Sequence, residues 1–239
     1  MTNVTAIITM FREGILAHPT IKSAVVAAKE AEAKGISVEI MLNLDSTDEQ
    51  TRKVCQNMAA KHDIIRIFEH EEDDLGLSRN IGVKNSNSTY ITFLDGDDLW
   101  GKDWIWRCYQ AAEETTDKNV VWHPEINVVF EREYQLFYHT DMDNPDFELD
   151  FLRINNYWTA LSFTTKALYE NHPYSTNKIK EGYGFEDWNW NCNTIHKGVK
   201  HKIVQDTCHF IRKKESGSML SDHSKYKCIM TPSPLFEVQ

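Results

Sequence analysis

"YITFLDGDDLW", Tyr90–Trp100, runs from β-preferring residues into Asp95, Gly96, Asp97 and Asp98. A strand over Tyr90–Leu94 that ends in crowded carboxylates puts charge at the rim of a sheet rather than in its core. Upstream, short apolar runs alternate with amphipathic ones. Val4–Met10 reads as a strand. His18-Pro19 opens a helical stretch in which Ile21, Ala24, Val25, Ala28 and Ala31 recur at helical spacing, and Gly35 ends it. Ser37–Leu44 and Ile64–Phe68 read as the second and third strands. Ser46 and Glu49, three apart, have the spacing of a capping box for the helix between them. Leu77–Val83 follows as a short helix. With Tyr90–Leu94 as the fourth strand, this rhythm predicts an α/β fold with a mostly parallel central sheet flanked by helices. Ligands of such sheets bind beyond the carboxyl ends of the strands, which is where the aspartates stand.

Past Lys102 the pattern loosens. Lys102–Thr115 and Glu186–His196 read as helices. "NVVWHP" and "INVVFE" read as two strands, and Lys200–Val204 and Cys208–Arg212 as two more; His139–Asp150 reads as an acidic surface excursion. The chain has 239 residues, 41% of them hydrophobic, which suits one large domain, or one domain with a C-terminal elaboration. A net charge of −10 argues against a nucleic-acid binder. It leaves a nucleotide binder open, because a metal can offset the repulsion between phosphates and carboxylates. "IRKK", Ile211–Lys214, offers a local basic patch through which peripheral membrane docking stays open. The five cysteines are widely spaced and form no C-x-x-C pair, so neither a zinc ribbon nor a disulfide framework is indicated. The start "MTNVTAIITMFREG" lacks the pattern of a secretory signal and no window has the length of a membrane span, so the expectation is a cytoplasmic protein.

Several groups of residues have chemical potential. The clustered aspartates offer hard oxygen ligands suited to Mg²⁺ or Mn²⁺, although such a cluster also serves as a polar turn. In "DDLGLSRNIGVKNS", Asp73–Ser86, Arg79 presents a planar donor fork for phosphate or a base, and Asn80 adds a donor and an acceptor. Asp45, ending the second strand, can accept from a base imide or a ribose hydroxyl. In "EGYGFEDWNWN", Glu181–Asn191, Glu186 and Asp187 open a helix that bears Trp188 and Trp190. Acids at a helix start satisfy its dipole. Beside aromatic rings they also suit a partly desolvated base and a sugar-stacking face, although tryptophans here serve equally well to pack a core. His209, three residues before Arg212, is a structural histidine unless the fold returns it to a metal.

Taken in order from about Val4 to Ser218, these elements resemble the family-2 glycosyltransferases. The resemblance rests on "AIITMFREG", Asp45, "SRNIG" (Ser78, Arg79, Asn80, Gly82), "DGDD" and "FED". It implies a GT-A fold and inverting transfer of a sugar from a nucleotide-diphosphate donor, with UDP the commonest case. It implies that Asp97 holds a Mn²⁺ or Mg²⁺ ion, with His209 as a further ligand, and that Thr9, Glu13, Asp45, Arg79, Asn80, Asp95 and Gly96 serve the nucleotide sugar. Asp187 is implied as the base, Glu186 as a holder of the acceptor and second-choice base, and Trp188 and Trp190 as acceptor contacts. A single GT-A domain is expected over 1–218, its nucleotide-binding half about 1–101 and acceptor-binding half about 102–218, followed by a C-terminal extension, 219–239. By resemblance alone, the acceptor is a glycan or glycolipid of a bacterial surface polysaccharide. Two departures stand out: "TMFREG" replaces the usual proline- and asparagine-containing first loop, and Asp45 runs directly into Ser46, Thr47 and Asp48. The Q-x-x-R-W pattern of processive members is absent after Asp187, which favours single additions. A Ca²⁺-dependent carbohydrate-binding protein would also want the acids and tryptophans, but has no use for Arg79, Asn80 and a separate Asp187. A sugar nucleotidyltransferase would want a glycine-rich basic loop that "TMFREGILAH" lacks.

Overall fold

A computed structural model describes residues 2–214 and 219–237, with Leu220 and Ser221 described by backbone alone. The domain boundary expected at Ser218 lies outside the described residues. The first half is β1 (Val4–Met10), α1 (Ala17–Glu32), β2 (Val38–Asp45), α2 (Glu49–Ala59), β3 (Ile65–His70), α3 (Leu75–Lys84) and β4 (Tyr90–Asp95). These strands pair in parallel in the order β3-β2-β1-β4. Every residue of β1 is buried, as expected of a strand covered on both faces. Its two faces feed different cores. Val4, Ala6, Ile8 and Met10 pack with the apolar stripe of α1 (Ile21, Ala24, Val25, Ala28), while Ile7 joins Met41, Ile91 and Phe93 on the other side. There α3 lies close: a Cβ on Gly82 would come within 2.9 Å of Ile7, so a side chain at that position would push the helix off the sheet.

The second half comprises β5 (Leu99–Trp100), α4 (Trp104–Glu114), β6 (Val120–Glu131), β7 (Gln135–Tyr138), β8 (Phe163–Thr165), α5 (Lys166–Asn171), β9 (Tyr183–Gly184), α6 (Glu186–His196), β10 (Lys200–Lys213), α7 (Met219–Lys225) and β11 (Ile229–Met230). The sheet continues β4-β8-β6-β10-β5, with β7 on β6. Here β8, β7 and β5 run antiparallel to their neighbours and β10 runs parallel to β6. The parallel expectation therefore holds for the first four strands and for β6–β10. The antiparallel strands β5 and β8 are too short to carry a period in sequence. β11 pairs with β9 in a separate small sheet, tying the chain's last described segment to the approach to α6.

Three local expectations are corrected. "NVVWHP" and "INVVFE" form one strand, β6, which passes through Pro124; the two short strands expected over 200–212 are likewise one strand, β10. The interruptions coincide: Val204 pairs with Pro124 and Cys208 with Ile126, so β10 bulges where β6 has no N–H to offer. The capping box at Ser46 does not form. Ser46 has φ 47°, and Asp48, in extended backbone, caps α2 by accepting from the Thr51 N–H at 2.8 Å. No helix among the described residues is long and apolar enough to cross a membrane.

Candidate active site

The carboxyl ends of β1, β2 and β4 open into a cleft of about 620 Å³, closed on its far side by the start of α6. Asp95, the last residue of β4, lies beside Thr9 of β1, whose hydroxyl donates to Asp95 Oδ1 at 3.2 Å. The same oxygen accepts from Arg79 at 2.9 Å, and the other arm of that guanidinium reaches Glu186 Oε1 at 2.6 Å. Arg79 is 0% exposed and Glu186 4%. Burial alone would disfavour the guanidinium's charge, but Asp95 and Glu186 more than offset it and hold the pKa above its usual value. Arg79 also faces the rings of Tyr174 and Phe93 at 5.3 and 5.9 Å. The sequence aimed Arg79 at a phosphate or a base. Instead it is a buried bridge between the acid after β4 and the acid that opens α6.

The rest of "SRNIG" is a mount for that bridge. The Asn43 amide donates to both oxygens of Ser78, fixing α3 to β2. Asn80 exchanges hydrogen bonds with the backbone of Tyr174, at 2.9 Å to its carbonyl and 2.8 Å from its N–H. Asn80 therefore lies outside the cleft, its amide occupied by the 172–175 loop. Trp190 also lies outside: its ring stacks on Tyr174 and Tyr169 in the core and its indole N–H donates to the His172 carbonyl. On α6 it is Trp188, two residues earlier, that reaches the cleft.

The other expected residues do line it. Gly96 lies on the floor, close to the Thr9 carbonyl. Glu13 accepts from the Phe11 N–H at 2.7 Å, yet burial pushes its carboxyl up to about 7. Asp45 uses Oδ1 to accept from Glu72 N and Asp73 N at 2.8 and 3.0 Å, anchoring the loop between β3 and α3. Asp98, deeper than its neighbours, accepts from Arg212 N at 2.7 Å and faces His209 Nε2 at 3.2 Å; burial raises its carboxyl to about 6. Asp97 meets the Lys214 ammonium at 2.6 Å. Asp187, half-buried in the first turn of α6, is pushed up to about 7 by burial and then by Glu186, against the opposing pull of Arg79. Phe185 before it sits in the left-handed region at φ 60°, ψ 55°, an uncommon conformation for a bulky residue that turns the acids inward.

One feature fits a divalent cation here: His209 Nε2 is buried and, beyond the Asp98 carboxylate it faces at 3.2 Å, has no hydrogen-bond partner, while the Asp97 carboxylate is paired with Lys214. No three His, Cys, Asp or Glu side chains converge among the described residues.

Sequence reasoning missed Lys214, His223 and Asn156 as cleft residues. Lys214 was read within a surface basic patch, but the "IRKK" charges are largely spent internally. Arg212 pairs with Glu131 and donates to the Asp97 carbonyl, and Lys213 is 4.0 Å from Glu133. His223 and Asn156 arrive through tertiary folding, with no motif to announce them.

The family model described as glycosyl transferase family 2 matches residues 5–175. "Uncharacterized glycosyltransferase EpsJ" of Bacillus subtilis (strain 168) is 31% identical over 77 residues, 32% of this chain and 22% of that protein. "Glycosyltransferase GlyA" of Streptococcus pneumoniae serotype 4 is 27% identical over 78 residues, 33% of this chain and 11% of that protein. Among solved structures, S. aureus TarS 1-349 in complex with UDP-GlcNAc superposes with a TM-score of 0.69 at 14% identity, over 94% of this chain and 64% of that one. TarS 1-349 without that ligand in its description gives 0.64 at 13% identity, over 88% and 60%. At these identities the structural likeness shows the fold alone, the GT-A fold shared with TarS.

Proposed function

The chain belongs to glycosyl transferase family 2, and on that premise we propose that it moves one sugar from a nucleotide-diphosphate donor to an acceptor hydroxyl, with inversion at the anomeric carbon. The observation that carries this reading is the single cleft shared by the acids after β4 and the acids of α6, linked through Arg79. Asp187 is the base. Its carboxyl, pushed up to about 7, is matched to removing a proton from an alcohol near neutral pH. Glu186 is committed to Arg79 and serves to position rather than to accept the proton. Thr9, Glu13, Asp45, Asp95 and Gly96 form the donor side, and Trp188 the acceptor side. Asp97 and His209 are the residues that would hold a Mg²⁺ or Mn²⁺ ion, which when bound supplies Lewis-acid neutralisation of the departing diphosphate. A UDP-sugar is the donor class we favour, supported by the complex of TarS with UDP-GlcNAc. The acceptor is a glycan or glycolipid of a bacterial surface polysaccharide, a reading supported by family membership.

The test is incubation with Mg²⁺ or Mn²⁺ and a panel of nucleotide sugars, following slow donor hydrolysis. Release of nucleoside diphosphate supports transfer, pyrophosphate would indicate nucleotidyl chemistry, and neither product would leave only binding. Asp187→Asn should abolish turnover while donor affinity, measured by calorimetry, stays within about twofold, because the base acts on the acceptor. Retained turnover in that variant removes Asp187 from the mechanism.

A further inference from the structure

Asp187 has a polar neighbour across the cleft. Asn156, in the loop 154–162 that precedes β8, sets its Nδ2 3.5 Å from Asp187 Oδ2. The direction of this amide follows from its other bonds. Its Oδ1 accepts from Asn191 Nδ2 at 3.1 Å and from Trp158 N at 3.4 Å. With both donors on the oxygen, the NH₂ group is the end left to face Asp187. Asn191 is 2% exposed and stands one turn after Asp187 on the same face of α6, so one helix presents both the carboxylate and the group that orients its donor. The loop is firmly seated. Trp158 is buried, donates its indole N–H to the Thr140 carbonyl at 2.8 Å and stacks on His201 with ring centroids 4.5 Å apart, and Thr159 N donates to His139 Nε2 at 3.1 Å.

We propose that Asn156 is the positioning residue for the base: its amide N–H holds Asp187 Oδ2 and leaves Oδ1 to take the acceptor's proton. This rests on Asp187 being the base. A donor aimed at a carboxylate favours its ionised form. The other groups around Asp187 pull both ways. Glu186 on the same helix and Asp95 at the end of β4 disfavour its charge, while Arg79 on α3 and the Trp188 N–H favour it. Tyr174 and Cys192 lie nearby as neutral groups, and His223 of α7 faces Glu186. Removing the Asn156 donor tips this balance toward the protonated acid.

The experiment compares wild type with Asn156→Ala, Asn156→Asp and Asn191→Ala. Activity requires the deprotonated base, so the acid limb of kcat should move up by about one pH unit in Asn156→Ala. It should move further in Asn156→Asp, with donor KM unchanged in both. Asn191→Ala frees the amide to turn without altering the cleft wall; it should show a smaller shift in the same direction and keeps the test open if Asn156→Ala folds poorly. NMR titration of ¹³C-labelled aspartate carboxyls, with Asp187 assigned from Asp187→Asn, reads the same shift without turnover. If kcat falls while both the limb and the carboxyl titration stay put, Asn156 merely supports its loop and the inference is overturned. If the titration moves but wild type turns over no donor, the positioning stands and the transferase reading fails instead.

Discussion

Arg79 concentrates the site's electrostatics in one side chain. It is fully buried and answers carboxylates from two separate elements, so its loss strands two acids in a low-dielectric setting. Arg79→Met should cost about 3–5 kcal/mol of stability, the range for breaking one side of a buried pair, measured as a lower urea midpoint. Arg79→Lys keeps a charge but cannot fork to Asp95 and Glu186 at once; it should fold better than the Met variant while losing most turnover. Glu13 gives a prediction of opposite sense. Its carboxyl is raised from 4.5 to about 7 on folding, so the folded chain holds the proton more tightly. Its contribution to stability is therefore most favourable below about pH 4.5 and is lost as pH rises toward 7. Glu13→Gln should leave the melting temperature unchanged at pH 4.5 and raise it by a few degrees at pH 8. These residues were legible as candidates because the acids and the arginine sit in short, dense motifs. Their partners were not. Glu186 lies 107 positions beyond Arg79 and Lys214 lies 117 beyond Asp97, and no local pattern spans such distances.

At the level of elements, α6 matched its sequence reading at both ends, because acids crowd its first turn and aromatic residues alternate along it. What sets its approach could not be read. A Cβ on Gly184 would lie 2.4 Å from the ring of His223, and that ring is held against Phe185 with centroids 4.2 Å apart. Gly184→Ala should thus push α7 away and destabilise the chain. In a His223→Ala background the same change should cost little more, because the obstacle is gone. Urea midpoints of the two single variants and the double variant give the coupling, and strict additivity would show that the contact does not constrain the fold. The misread cap of α2 has a similar cause. Ser46 and Glu49 have the right spacing, but the hydroxyl of Ser46 turns to Asp45 at 3.3 Å and Asp48 takes the cap. Spacing proposes a cap, and backbone conformation chooses it.

Across the whole molecule, the first four strands were readable since each is an apolar run, and the first three are each followed by a helix. The later strands cross the sheet out of chain order, and β8, three residues long, wedges between β4 and β6. Their placement depends on long-range pairing that leaves no trace in local composition. The assembled cleft should behave as one binding unit. A matching nucleotide sugar should raise the melting temperature in step with its concentration, by about 2.7 kcal/mol of stability at a hundred times Kd. Chelating Mg²⁺ or Mn²⁺ should shrink that rise, and an equal rise with chelator present would speak against a metal-assisted donor site. The Lys214–Asp97 pair adds a constraint of its own. The acidic rim is already tenanted, so an arriving ion or phosphate would swap partners with an ammonium instead of quenching a bare carboxylate. Affinity at that spot would then be the margin between two attachments, and each exchange would free the side chain that follows β10.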